Sequence, residues 1–293
     1  MDAQNVRSSR NFARPRPAAP PMPAPARPDP SRPAIAHADF IEGMAKGMAV
    51  LESFDTERQR LNATLTAERA GITRAAARRH LLTLAHLGYL ESDGSYFWLS
   101  SKVLRFSGSY LASARLPRAI QPTLNRLALQ ARQAFSGVVL DRDEVVIVAR
   151  SGADRGSAES GAERIIAYGV HLGARLPAHA TSTGRVLLAA LSRAQLAAWM
   201  KGRAFARLTP LTRTEPRALR EAIEQVRRQD WCLASEEHEL GVHALAVPVR
   251  NAAGATVAAL NVVSSPRRLG AELMQRELLP LLQQAAHELR PLV

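Results

Sequence analysis

Apolar residues first fall into step at Phe40. In FIEGMAKGMAVLESF, Phe40, Met44, Met48, Leu51 and Phe54 recur at helical spacing and predict one apolar stripe. A polar break, DTERQRLNA, follows, and TLTAERA predicts a short helix over Thr64–Ala70. Gly71 suits the left-handed turn that ends such a helix. Thr73 stands where a cap belongs, and Ala77, Leu81, Leu84 and the following Leu87 give the next helix its inward side. In YLESDGSYFWL aromatic and polar residues alternate about Asp93-Gly94, a strong hairpin signal. Helices joined by a glycine turn and followed directly by a hairpin describe a winged helix-turn-helix over residues 39–100.

The remaining pattern alternates between the two periods. Ser101–Ala114 reads as a linker helix, within a linker at residues 101–115, and Leu116–Arg132 as the helix that opens a second domain, residues 116–293. Strands are expected at Phe135–Leu140, Glu144–Arg150, Ile165–Gly169, Cys232–Ser235, Ala244–Arg250 and Thr256–Val263. Helices are expected at Ser182–Leu191, Pro216–Gln229 and Ala271–Leu289, and SGADRGSAESGAER reads as a surface loop. The sum is an α+β chain whose second domain is a mostly antiparallel sheet flanked by helices.

Composition alters this picture at the N-terminus. Residues 1–38 hold nine of the 18 prolines and few large apolar residues, which predicts a disordered Pro/Arg-rich tail. Its six Arg against two Asp either attract DNA or merely solubilise the chain. The formal charge of +13 points to a polyanionic partner, but residues 39–114 carry nine Lys/Arg against eight acids. Net charge therefore does not locate a binding surface. The single cysteine, Cys232, cannot form an internal disulfide and stands in the apolar context WCLA, which fits a buried residue in a reducing cytoplasm. No apolar run is long enough to span a membrane, and no signal-peptide core is present.

The second helix of the turn carries the first candidate chemistry. Arg74, Arg78 and Arg79 lie on or near the face opposite Ala77, Leu81 and Leu84, and Ala75 and Ala76 keep that face slim enough for a major groove. A solvated helix face is the plainer reading of those arginines. The order of elements around them favours double-stranded DNA, with Thr73, Arg74, Ala75, Ala76, Arg78 and Arg79 at the groove and Ser95 of the wing beside the backbone.

Long runs resemble the IclR family of bacterial transcription regulators and, within it, the PcaR/PcaU/PobR branch of the β-ketoadipate pathway. They are FIEGMAKGMAVLESFD, GITRAAARRHLLTLAHLGYLESDGSYFWLSSKVLRFSGSYLAS, GARLPAHATSTGRVLLA and EEHELGVHALAVPVRNAAGATVAALNVVSSP. The resemblance spans roughly residues 40 to 290 and omits the tail. It implies a winged helix-turn-helix, a linker helix and a GAF-like effector-binding domain. It also implies a homodimer or dimer of dimers, and a small carboxylate effector such as 4-hydroxybenzoate, protocatechuate or β-ketoadipate.

In RLPAHATSTGRVLLA, Pro177 halts regular structure and Thr181 or Ser182 caps a helix whose first N–H groups, at Ser182 and Thr183, form an anion site. The alternative is an ordinary capped helix, and the resemblance favours the site. Glu236, Glu237 and His238 offer acceptors for ring hydroxyls, and His243 and Asn261 offer donors; for each, a surface or structural role is the competing reading. Register is needed to decide which of Glu236 and Glu237 faces inward. Arg175 is a candidate counter-ion for a carboxylate.

Enzyme readings find less support. His171, His179, His238 and His243 lack the compact spacing of metal motifs, so a metal-dependent hydrolase is the weaker alternative. ATSTGRV has no nucleophile elbow, and no phosphate loop or cofactor fingerprint occurs. An IclR-type regulator of some other small carboxylate remains open, as does an architectural DNA-binding protein.

Overall fold

The computed structural model describes residues 35–55, 58–151, 171–265 and 269–293. Most of the proline-rich tail, the loop after Ser151 and the strand expected at Ile165–Gly169 lie outside the described residues.

Three helices open the described chain: α1 (Glu42–Glu52), α2 (Ala63–Ala70) and α3 (Arg74–His86). The Asn62 side chain caps α2 by accepting from the N–H groups of Thr64 and Leu65. Gly71, at φ 64°, ends it in the left-handed conformation that a side chain would resist. Thr73 caps α3 through the Ala76 N–H at 3.2 Å. The hairpin β1 (Leu90–Ser92) and β2 (Phe97–Leu99) follows, and Leu61 exchanges both backbone bonds with Phe97. Val50, Phe54, Leu61, Leu81, Leu84, Leu90 and Phe97 bury one another as the core of this unit.

Two expectations fail here. Of the expected stripe, Phe40, Met44 and Met48 are 51%, 66% and 51% exposed, while Phe54 lies in the core with Val50 and Leu51 packs against it. Leu87 is also exposed, since α3 stops at His86 and Gly88, at φ 80°, turns the chain away from the core.

A 3-10 turn at Ser101–Val103 leads into α4 (Leu104–Ser113), none of whose residues is buried. Extended backbone at Ala114 separates it from α5 (Arg115–Ala131). Beyond lie β3 (Phe135–Asp141), β4 (Glu144–Arg150), β5 (Arg175–Pro177), α6 (Ser182–Ala189), α7 (Arg193–Met200), α8 (Pro216–Gln229), β6 (Cys232–Ser235), β7 (His243–Arg250), β8 (Thr256–Ser264) and the terminal helix α9 (Leu279–Leu289). A π turn at Met274–Leu278 introduces α9. The strands form one antiparallel sheet in the order β5-β4-β3-β8-β7-β6.

Both faces of this sheet are buried. Leu245, Val247, Leu260 and Val262 pack with Ile120, Leu124 and Leu282 of α5 and α9. Their neighbours Ala246 and Ala259 point the other way, to Leu187, Leu188, Leu219 and Ile223 of α6 and α8. The two short elements that pattern reading passes over are β5 and α7. The second carries its own capping box between Ser192 and Gln195.

Helix α6 sits against the turn Ala178–Ala180 with no room between them. A Cβ on Gly184 would stand 2.0 Å from the carbonyl oxygen of Ala178 and 2.4 Å from its Cα, both backbone atoms. Gly184→Ala should therefore destabilise the fold by about 3 kcal/mol or more, read as a lowered denaturation midpoint; wild-type stability would refute the close approach.

Candidate DNA-reading surface and effector site

Cap and core fix what α3 presents to solvent. With Ala77, Leu81 and Leu84 buried, Thr73, Arg74, Ala75, Arg78 and Arg79 are exposed on the outer side and Ala76 is half-buried. Among the described residues the three arginines make no ion pair, so their donors face outward uncommitted. The start of the helix is free of acidic side chains. The wing places Ser95 at its exposed tip, where Asp93 Oδ1 accepts from the N–H groups of Ser95 and Tyr96 at 3.0 and 2.8 Å. Arg60 bonds the other oxygen of Asp93 at 2.8 Å.

The end of α3 is tied to the segment that begins the linker. Lys102 Nζ donates to the Leu87 carbonyl at 2.6 Å, Ser100 Oγ to that of Gly88 at 2.5 Å, and the Ser100 N–H to that of Tyr89 at 2.9 Å. Tyr89 stacks on Phe106 of α4 at 5.7 Å.

At the far unit, Thr181 caps α6, its Oγ1 accepting from the Gly184 N–H at 3.1 Å. Ser182 and Thr183 follow, nearly fully buried in the first turn, where backbone N–H groups have no partner within the helix. Ser182 Oγ is buried without a hydrogen-bond partner, and so is Asn261 Oδ1. Asn261 pairs with Ala246 and Ser136, which puts it on the α6 face of the sheet between Ala259 and Val263. A buried polar atom without a partner is costly unless something binds it.

The other expected groups are not gathered there. His243 shares the alternation of Leu245 and Val247, so it lies on the α5 and α9 face, although its Nδ1 is likewise unpartnered. Arg175 is held at the outer edge by Asp141 and Glu144, each at 2.7 Å, and reaches no buried site. Glu236, at φ 56°, accepts from the Gly241 N–H at 2.7 Å and shapes its own loop. Glu237 does face inward, but its carboxylate is already occupied.

That partner is Arg185, which the sequence reading missed. It is 1% exposed, and its guanidinium meets Glu237 in a bidentate pair, Nη1 to Oε1 at 2.6 Å and Nη2 to Oε2. Burial opposes the arginine's charge, yet its bonds to Glu237 carry its pKa above the ordinary value. Arg213 adds its N–H at 3.3 Å and its Nε at 3.5 Å, while Thr209 and Thr212 donate to the carbonyls of Glu236 and Glu237. The signal was available: Arg185 stands inside the apolar run GRVLLA, where a helix turned inward leaves no water for it. Burial holds His179 and His238 below the usual histidine pKa and pushes the Cys232 thiol up to about 11, so none of these carries charge at neutral pH. Among the described residues no three metal-ligating side chains converge, and no helix is long and apolar enough to cross a membrane.

Two family models match the two units. Residues 43–94 match the IclR helix-turn-helix domain and residues 108–290 match the bacterial transcriptional regulator IclR C-terminal domain. The chain is 51% identical over 256 residues to the Pca operon regulatory protein of Acinetobacter baylyi, covering 87% of this chain and 90% of that one. It is 52% identical over 255 residues to the p-hydroxybenzoate hydroxylase transcriptional activator of the same organism, covering 87% and 93%. A crystal structure of the inducer-binding domain of the PobR transcription factor from Acinetobacter, a double mutant in complex with 3-hydroxybenzoic acid, matches with TM-score 0.55 and 47% identity, over 61% of this chain and all of that one. The helix-turn-helix with its wing and the two-faced sheet are thus those of a DNA-binding regulator, and the chain belongs to the IclR family of bacterial transcription regulators.

Proposed function

We propose that this chain is a cytoplasmic regulator of aromatic-acid catabolism that reads an operator with residues 39–100 and senses a hydroxybenzoate-type acid with residues 116–293, the linker at 101–115 joining them. The observation that carries the reading is that Ser182 Oγ and Asn261 Oδ1 are both buried without a partner, Ser182 in the first turn of α6 and Asn261 on the sheet face that α6 covers. The first N–H groups of α6 with Ser182 suit a carboxylate, and Asn261 Oδ1 suits a ring hydroxyl as donor. The relatives' names and the hydroxybenzoate bound by the related inducer domain support the same ligand class. Effector then biases one arrangement of the two units by its differential affinity, the only way in which a ligand switches anything.

The exposed stripe of α1, with Leu104, Phe106, Tyr110 and Leu111 of α4, supports assembly through the DNA-binding half. Homodimers of such units place two α3 helices in successive major grooves, about 10 bp apart.

Three outcomes test the reading. In a thermal-shift panel of 4-hydroxybenzoate, protocatechuate, β-ketoadipate and benzoate, a hydroxylated acid at ~100 times its Kd should stabilise by about 2.7 kcal/mol, and no shift with any of them would remove the ligand class. Asn261→Ala should weaken that acid about tenfold and leave benzoate unaffected, as expected for one lost hydrogen bond. Arg79→Ala should weaken duplex DNA binding, and unchanged affinity would take Arg79 out of the interface.

A further inference from the structure

A wing that lies beside a phosphate backbone is ill served by acids, and this one carries Glu91 and Asp93. Leu61 and Phe97 are buried and joined by two backbone bonds, an isolated bridge that ties the chain at Leu61 to the hairpin. By alternation Arg60 and Trp98 then turn to the outer side. There the Arg60 guanidinium lies 4.3 Å from the Trp98 ring centre, while Trp98 Nε1 donates to Glu91 Oε2 at 3.0 Å. Arg60 Nη2 reaches Asp93 Oδ2 at 2.8 Å, and Asp93 Oδ1 is the acceptor that shapes the turn. Backbone bonds from Tyr96 and Ser95, with the Arg60 charge adding to them, hold the Asp93 carboxyl below the usual carboxylate range, so it is ionised at neutral pH.

We infer that Arg60 is a positioning residue for DNA binding: clamped between Trp98 and Asp93, it neutralises the wing tip and fixes its hairpin, and the same pairing withholds Arg60 from the phosphates. Asp93 consequently lowers affinity for any duplex, independent of sequence. Nothing in this depends on which effector the second unit binds.

The test uses the full-length protein and a short duplex of random sequence, with binding followed by fluorescence anisotropy across a salt series. Asp93→Asn keeps an oxygen for the Ser95 and Tyr96 N–H groups and removes only the charge. It should bind several-fold tighter at low salt, with a log–log salt dependence steeper by about 0.9, the signature of one more phosphate contact. Arg60→Met keeps an apolar stem over Trp98 and should bind several-fold more weakly. The double variant Arg60→Met/Asp93→Asn should return close to wild type, because the charge of the wing tip is then the same as in the paired state. A purely structural clamp would lower the melting temperature of both single variants and leave the salt slope unmoved, which overturns the inference. It is equally overturned if Asp93→Asn matches wild type while Arg60→Met alone flattens the slope, since Arg60 would then contact phosphate directly.

Discussion

Burial of both faces of a single antiparallel sheet is the constraint on which the second unit rests. In the middle of β7 and β8, Leu245, Val247, Leu260 and Val262 belong to one core and their neighbours Ala246 and Ala259 to the other. A slip of one position would carry Asn261 into the core built on α5 and α9, and Leu260 or Val262 onto the α6 face. Register is therefore held twice over, once from each side. The α5 and α9 core is mostly Leu, Ile and Val, with Phe135, Met274 and a few alanines. The α6 side mixes alanines with the buried polar residues Ser182, Thr183, Arg185 and Asn261.

The ion pair of Arg185 and Glu237 is part of that polar interior and has a different character from the pairs outside. Surface bridges such as Arg217 with Glu221 contribute little, since both partners remain in water. A buried pair costs much of its own attraction in lost hydration and adds little net stability over an apolar replacement. Removing one partner alone would strand the other, at about 3 to 5 kcal/mol. Its consequence is geometrical. Arg185 comes from α6, Glu237 from the loop after β6, and Arg213 with the two threonines from the segment before α8. Three separate pieces of chain are pinned at one point, which sets how the loop closes over the start of α6.

Much of this architecture was legible as period. Helix α3, the hairpin, α8 and strands β3, β4, β6, β7 and β8 stand within a residue or two of their expected bounds, because each has a long unambiguous pattern or a strong turn signal. Strand β5 and helix α7 were not legible: three residues are too short to show alternation, and the capping box of α7 sits amid alanines that carry weak hydrophobic contrast. The α1 stripe was legible only in part: Leu51 and Phe54 reach the core, but periodicity reports that a face is apolar and not how much of it is covered. In the candidate site, the cap signal pointed to Ser182 and Thr183, while Asn261 stood out only as a polar residue within an apolar strand. Partnership was beyond the sequence, for nothing along the chain announces that Glu237 meets a cation 52 positions away, or that Arg175 is held at an edge by two acids.

The two-faced sheet has a final consequence for how a message would travel. Asn261 lies on the opposite side of the sheet from α5, the helix that continues from α4, so a ligand bound in the proposed site would be separated from α5 by the sheet. What separates them is one thickness of backbone. The residues flanking Asn261 in β8, Leu260 and Val262, belong to the same core as Ile120, Leu124 and Leu127 of α5. Gly137 of β3, hydrogen-bonded alongside Leu260, has Ile120 so close that an added Cβ would lie 3.0 Å from it. The sheet is therefore a partition one residue thick, and the helix that leads toward the DNA-reading unit packs directly on the far side of the strand that carries Asn261.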